Sequence, residues 1–375
     1  MKLAKTDRTT WALLLLLLAL PGTARGQFNY FVDNGAITIT GYAGPGGTVA
    51  IPNTINGLPV TGIWPYAFHG HFEITSVEIP ASVTSIASGD NAAFMYCTNL
   101  TAITVDPLNP TYSSLEGVLF DKQRTRLIEC PAGKHGSFTI PNSVTNMVFA
   151  AFLYCARLTN VVIGDGLLSI APFAFQFCSS LNSITIGSNV RHIESGAFNS
   201  CTSLTNIIIG GRVETIGVGV FRGCPNLTSV TIGPSVSSLE DNAFDFLPRL
   251  KAVYFYGDAP SLGGLVFGGT DNATIYYLPG TVGWGPTFGD RPTALWHLPY
   301  PLILSNNASF GVQSNQFGFI ISWATNIPVV VEASTNLSNP NWFPVGTNTL
   351  TGGSAHFSEL QWANYLARFY RLRSP

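Results

Sequence analysis

The chain reads as a mainly β fold, a solenoid of 23-residue coils with β-rich caps, followed by a small C-terminal β-sandwich-like domain. Three observations carry that reading. Phe152, Phe175, Phe198, Phe221, Phe244 and Phe267 recur every 23 residues, and Cys155, Cys178, Cys201 and Cys224 keep the same interval. The best copy, Ile186 to Ile209, places Val190, Ile193, Ala197, Phe198, Leu204, Ile207 and Ile209 on one apolar side, and the next copy begins on its last residue. Beyond Phe267 the period decays into short strand-like segments separated by turn residues. A single such coil cannot bury its apolar side alone, so stacking of neighbours is required.

The repeat can be written I-[PG]-x-x-V-x-x-I-x-x-x-A-F-x-x-C-x-x-L-T-x-I-x-I, and it is matched by Ile79 to Val105, Ile140 to Ile163 and the four coils that follow. This pattern resembles the BspA-like (Treponema-type) leucine-rich repeat family of bacterial cell-surface proteins, over roughly residues 50–267. The resemblance implies a leucine-rich repeat solenoid engaged in adhesion and protein contact; periodicity alone implies only a scaffold. The chain departs from the pattern at Val220, which replaces the alanine before Phe221, and at Asp245-Phe246-Leu247, which replaces the cysteine segment.

Residues 1–26 read as a secretory signal peptide. Lys2, Lys5 and Arg8 form a basic start, Trp11 to Leu20 an apolar run, and Ala24-Arg25-Gly26 a small-x-small cleavage site. The run, ended by Pro21 and Gly22, is shorter than the roughly 20 residues a membrane span needs, so no spanning segment is expected after cleavage. The expected location is secreted or at the cell surface. Export permits disulfides, but cysteines in register on stacked coils lie about 4.8 Å apart, beyond the Cβ separation of roughly 3.8 Å that a disulfide prefers. A buried ladder of free thiols follows, each acting as a small apolar side chain. Cys97 shares the repeat position, and Cys130 falls outside it.

Residues 27–62 alternate apolar and polar side chains (Phe28, Tyr30, Val32; Ile37, Ile39) and read as an N-terminal β cap over the first coil edge. The solenoid is assigned to 63–299. Within it the interval from Phe94 to Phe152 stretches to 58 residues, and 106–139 carry charge at more than twice the chain average. That segment reads as a solvated β-hairpin insertion. Residues 268–299, with Trp284 and Trp296 among Gly and Pro, read as a C-terminal cap. Leu298-Pro299-Tyr300-Pro301 starts a stiff linker over 300–307. Residues 308–375, with strands expected at Phe317 to Trp323, Val329 to Ala333, Trp342 to Val345, His356 to Phe357 and Phe369 to Arg373, read as the β-sandwich-like domain.

The chain is 46% hydrophobic and 10% charged, with net charge −2. That balance excludes a polyanion footprint, so no nucleic-acid partner is expected. Strand alternation predicts an outward row of Val162, Thr185, Ile208, Thr231 and Tyr254 with no charge in it, a candidate binding face. Trp284, Trp296 and Trp342 are candidate glycan-stacking residues. Arg191 and Glu214, one period apart, are expected to stack as an exposed surface pair. His69-Gly70-His71 lacks the further ligands a structural metal needs. His135, His192, His297 and His356 have no evident acid or nucleophile partner, and G-x-S-x-G, P-loop and H-E-x-x-H motifs are absent. The expectation is a non-catalytic exported bacterial protein without cofactor, recognising a protein or extracellular-matrix partner. The alternative is a carbohydrate-binding surface protein using the neutral strand face or the aromatic cap.

Overall fold

The computed structural model describes residues 26–374. The expected signal peptide lies outside them except for its last residue. The chain divides into two compact units, one of residues up to 136 together with 143–158, the other of residues 137–142 and from 159 onward.

In the first unit, Phe28–Asp33 and Ala36–Tyr42 form an antiparallel hairpin. Asn34 and Gly35 turn it with φ of 49° and 76°, the left-handed pair that a two-residue hairpin loop requires. Ala36–Tyr42 then pairs in parallel with Leu58–Ile63, and Leu58–Ile63 with Ser85–Ile86. On the other side Gly47–Ala50, Ile74–Ile79 and Ala102–Val105 form a parallel sheet. Parallel stacking therefore already starts inside the N-terminal segment, whose hairpin covers the outer edge. Phe68 and Phe94 stack at 5.1 Å within the enclosed core.

The 106–139 insertion differs from the solvated hairpin expected. Tyr112–Leu115, Val118–Asp121 and Arg126–Glu129 form an antiparallel meander, and Arg126–Glu129 pairs in parallel with Asn146–Met147 of the following coil. The meander thus supplies a strand of the stack, and Val118, Leu119 and Phe120 are fully buried. Arg126 and the buried Glu129 lie on its last strand, and most of its other charges sit at or beside the turns: Lys122 Nζ donates to the carbonyls of Pro107 and Asn109, and Lys134 Nζ to that of Glu116.

The second unit repeats two strands per coil. The short strands Ser169–Ile170, His192–Ile193, Thr215–Ile216, Ser238–Leu239 and Ser261–Leu262 form one parallel sheet. The longer strands Asn206–Ile209, Ser229–Ile232, Ala252–Phe255, Thr274–Tyr277 and Arg291–Leu295 form a second. Between the sheets Phe175, Phe198, Phe221, Phe244 and Phe267 stack with successive centroids 5.4, 5.6, 5.3 and 5.4 Å apart, nearly face to face. The long-strand side has one interruption: Ser183–Thr185 pairs back to Val161 and its neighbours but belongs to a different sheet from Asn206–Ile209. Ile184 and Ile186, expected inside, are accordingly only half-buried, whereas Ile207 and Ile209 are buried.

All six cysteines are buried, and several do more than fill space. Cys201 Sγ donates to the carbonyl of Phe175 at 3.2 Å, Cys224 to that of Phe198 at 3.1 Å, and Cys97 to that of Phe68 at 2.8 Å. Each of these three thiols is a second donor to a carbonyl of the preceding coil that already accepts a backbone N–H within its own turn, from Cys178 to Phe175, Cys201 to Phe198 and His71 to Phe68. Where cysteine is lost, Thr270 takes over, its Oγ1 donating to Phe244 O at 2.7 Å. The residue just before this donor adopts a left-handed backbone in coil after coil: Tyr96 at 62°, Tyr154 and Phe177 at 60°, Ser200 at 60°, Gly223 at 72° and Gly269 at 59°.

Trp284 closes the far end of the core. It stacks on Tyr277 at 5.1 Å and meets Phe255 and Phe288 at 4.9 Å each. The segment expected as a linker instead holds an edge strand, Leu302–Leu304, paired with Gln316–Ser322. Leu298 and Leu304 bury against Leu278, which removes the freedom a linker needs. The remainder is a two-sheet sandwich. Gln316–Ser322 with Gly311–Gln313 and Ser354–Glu359 faces Pro328–Ser334 with Phe343–Thr349 and Phe369–Arg373. Phe319, Ile321, Val329, Val331, Leu350 and Phe357 fill the space between the sheets. Among the described residues no helix is long and apolar enough to cross a membrane.

Three stability measurements check this account. Cys201→Ala is expected to lower stability by about 0.5–1.5 kcal/mol, because the Phe175 carbonyl loses the thiol and keeps only the Cys178 N–H, and Cys201→Ser to lose less; denaturant unfolding of both variants reads the difference. Ser200→Gly is expected to gain up to about 1 kcal/mol by relieving the left-handed backbone of a non-glycine residue. Burial raises the Glu129 carboxyl from 4.5 to about 8, and its Oε2 has no hydrogen-bond partner. Its folded value exceeds its unfolded one, so this contribution is complete below pH 4.5 and falls as pH rises to about 8. Thermal melts should therefore show Glu129→Gln more stable than the parent at pH 8, with the advantage vanishing toward pH 4.5.

Candidate functional site

Several groups with strongly shifted titration are buried. Burial pushes the Cys97 and Cys224 thiols up to about 12, so neither is a thiolate at neutral pH. Glu129 lines a cavity of about 20 Å³ with Phe94, Tyr96, Cys130 and Leu153. That space is of the order of one water and admits no substrate. His69 and His71 lie at a turn and its end, not along one strand face.

The open surface of the long strands is different in kind. In Asn206–Ile209, Ile207 and Ile209 point inward and Asn206 and Ile208 outward, and the same alternation holds in Ser229–Ile232. Strand register sets Val162 beside Thr185, and then Ile208, Thr231, Tyr254 and Tyr276 side by side in successive strands. The interruption described above falls between Thr185 and Ile208, so the expected row is two segments. Ile208 is 71% exposed, an isoleucine held in water by a sheet whose own core is complete. The flanking outward positions Asn160, Ser183, Asn206 and Ser229 are neutral as well.

The row ends in aromatic rings. Tyr254 stacks on Tyr276 at 5.1 Å and touches Trp296 at 4.9 Å, and Trp296 meets Tyr256 edge-on at 4.9 Å. Tyr276 escaped the sequence reading because it follows Tyr254 by one residue less than the repeat. The strand pattern Thr274-Ile275-Tyr276-Tyr277 is the signal that could have found it. Of the three tryptophans singled out, Trp296 joins this cluster. Trp284 lies within the capping rings, with its Nε1 buried and unpartnered. Trp342 sits in the sandwich with the Arg371 guanidinium 4.5 Å from its ring centre, and the structure does not bring it to the strand face.

A second set of exposed apolar groups follows the turns. Phe173 has φ of 54°, and its ring lies over Gly196, where an added Cβ would come within 2.5 Å of it. Phe246, 58% exposed, lies over Gly269 and under the Arg222 guanidinium, 5.5 Å from its ring centre. These rings shield glycine backbone of the next coil, so part of their role is packing. The Arg191–Glu214 pair expected on the short strands is present and exposed, worth about 0–1 kcal/mol.

Comparison with known proteins places this geometry. The family description "BspA type Leucine rich repeat region" matches in six copies, over residues 61–135 and 132–251. No curated protein sequence matches the chain. Among solved structures, the pneumococcal vaccine antigen PcpA is similar at 18% identity and a TM-score of 0.44, over 68% of this chain and 93% of that one. The leucine-rich repeat protein of T. pallidum is similar at 26% identity and 0.29, over 66% and 87%. A leucine rich cell surface protein from Faecalibacterium prausnitzii is similar at 22% and 0.39, over 74% and 83%. At these scores the likenesses carry no argument of their own. The family match spans more than half of the 375 residues, in phase with the phenylalanine and thiol columns, and the chain belongs to the BspA-type leucine-rich repeat family.

Proposed function

We propose that the protein is a non-catalytic, exported bacterial recognition protein, secreted or held at the cell surface, whose solenoid binds a protein or extracellular-matrix partner. The supporting observation is the outward strand row, in which Ile208 is 71% exposed amid neutral side chains and Tyr254 and Tyr276 stack at its end. Exposed apolar and aromatic groups rimmed by uncharged hydroxyls and amides suit an interface core, where charge is depleted and Tyr and Trp are enriched. Export rests on the 1–26 pattern, and family membership supports a role in protein contact. The near-neutral charge argues against nucleic acid.

Carbohydrate binding is the second reading, favoured by the Tyr254, Tyr276 and Trp296 rings, which offer apolar faces for sugar C–H groups. Binding of the mature chain to a panel of purified matrix proteins and to a glycan array separates the two. The first reading expects a matrix-protein signal reduced about tenfold or more by Ile208→Glu, consistent with loss of an interface anchor, with thermal stability unchanged. A glycan signal abolished by Trp296→Ala supports the second, and a matrix signal untouched by Ile208→Glu and Tyr276→Ala would remove the strand face from the account.

A further inference from the structure

A cleft of about 150 Å³ opens where the turns after two long strands meet the first strand of the sandwich. Its walls come from Pro234, Tyr256 and Asp258 on the coil side and from Leu302, Leu304 and Asn306 on the other. A space of this size holds one ring-sized or short-chain group, as an engineered apolar cavity of about the same volume holds benzene. The floor is fixed. Leu304 is 5% exposed and packs with Leu278 and Leu298, and Asn306 Nδ2 donates to Ser235 Oγ at 3.0 Å. The cleft is therefore preformed, not a gap between parts free to move apart.

Its chemistry is one-sided. The hydrocarbon of Pro234, Leu302, Ile303 and Leu304 dominates the walls, and the only charged residue among the lining side chains is Asp258, with no lysine, arginine or histidine beside it. Asp258 Oδ1 accepts the Val282 N–H at 2.8 Å, which orients the carboxylate. Tyr256 lies in the same wall, and Trp296 meets its ring edge-on. A group that completes this site carries a positive charge for Asp258 and the Tyr256 ring, and an aliphatic body for the leucines.

We propose that this cleft binds an aliphatic ammonium group, and that its occupant is a lysine side chain presented by a protein partner. A four-carbon stem fits the apolar walls and brings the ammonium to the carboxylate, whereas a guanidinium is wider and a neutral aliphatic leaves the charge unanswered. The site uses none of the outward strand row, so it goes beyond the face proposed above and can fail or stand independently of it.

NMR titration of the full mature chain with Nα-acetyl-lysine methylamide is expected to give saturable millimolar shifts at Tyr256 and Leu304. The norleucine analogue, which has the stem without the charge, should bind about tenfold more weakly or less, the effect of losing a charge-assisted contact. Asp258→Asn keeps an acceptor for Val282 and so preserves the turn, and it should weaken the lysine response by a similar factor. Ser305→Trp, a change at an exposed position of the lining, should block it. Equal responses to lysine and norleucine analogues, no saturable shift in the parent, or preferential binding of a methyl pyranoside would overturn the proposal. Tighter binding of 1,5-diaminopentane than of the blocked lysine would overturn the assignment to a protein side chain. Matrix binding lost in Ile208→Glu but retained in Asp258→Asn would show that the two sites are separate.

Discussion

The structure depends on one constraint: each coil must return the chain to the same point one strand spacing further on, so equivalent groups meet their own kind along the stack. Apolar groups profit directly, as the face-to-face phenylalanines show. Polar backbone gains differently: a turn carbonyl that already accepts an N–H of its own coil has a second lone pair, and the next coil can supply a donor for it. The thiol three residues after the next phenylalanine is that second donor, from Cys201 to Phe175 and from Cys224 to Phe198. The arrangement survives a change of coil length: Cys97 reaches Phe68 across 29 residues, because the extra residues lie elsewhere in that coil. Thr270 shows that a hydroxyl can serve the equivalent carbonyl, that of Phe244, whereas Leu247 at the same repeat position donates nothing and leaves Phe221 O with the Cys224 N–H alone among the described residues. The column of cysteines thereby has a role in packing and hydrogen bonding between coils.

Much of this was legible in the residues because repetition multiplies a weak local signal. Phe175, Phe198 and Phe221 announced a column, and strand register sets Ile208, Thr231 and Tyr254 side by side. Local composition misled where it was read without the stack. In 106–139 the charges Asp121, Lys122, Arg124 and Lys134 suggested a solvated excursion, yet they cluster at turns while Val118-Leu119-Phe120 passes through the interior. Leu302–Leu304 looked like linker because prolines precede it. An edge strand tolerates prolines at its start, where no ladder donor is needed. No periodicity could show that the sheet parts between Ser183–Thr185 and Asn206–Ile209, because both strands carry the same alternation. The cysteines' apolar role was visible in their spacing, and their donor role was not, because it depends on where a carbonyl of another coil points.

Polarity is distributed unevenly between interior and surface. Glu129 and the Cys97, Cys201 and Cys224 thiols are perturbed by burial, away from the open strand face. The reachable surfaces present isoleucine, threonine, tyrosine and amide groups, which bind through shape, apolar contact and neutral hydrogen bonds. With charge so sparse, association gains little from long-range steering, and affinity must come from close fit.

A repeated scaffold offers the same turn many times, so chemistry becomes distinct where something irregular lands on one copy. Asn189, Arg212, Ser235 and Asp258 occupy equivalent positions in successive coils. Arg212 and Asn189 bond to each other across the stack at 2.8 Å. Ser235 receives Asn306. Asp258 has the sandwich's first strand beside it, and an ordinary turn carboxylate becomes one wall of an enclosed apolar space. The same logic holds at the end of the strand row, where a coil one residue short sets Tyr276 against Tyr254, with Trp296 beside Tyr254 and Tyr256. Regular coils supply a rigid surface of constant composition. The departures from regularity, at the cap and at the first sandwich strand, are where aromatic faces and a lone charge are brought together, and a partner reading this molecule has most to distinguish there.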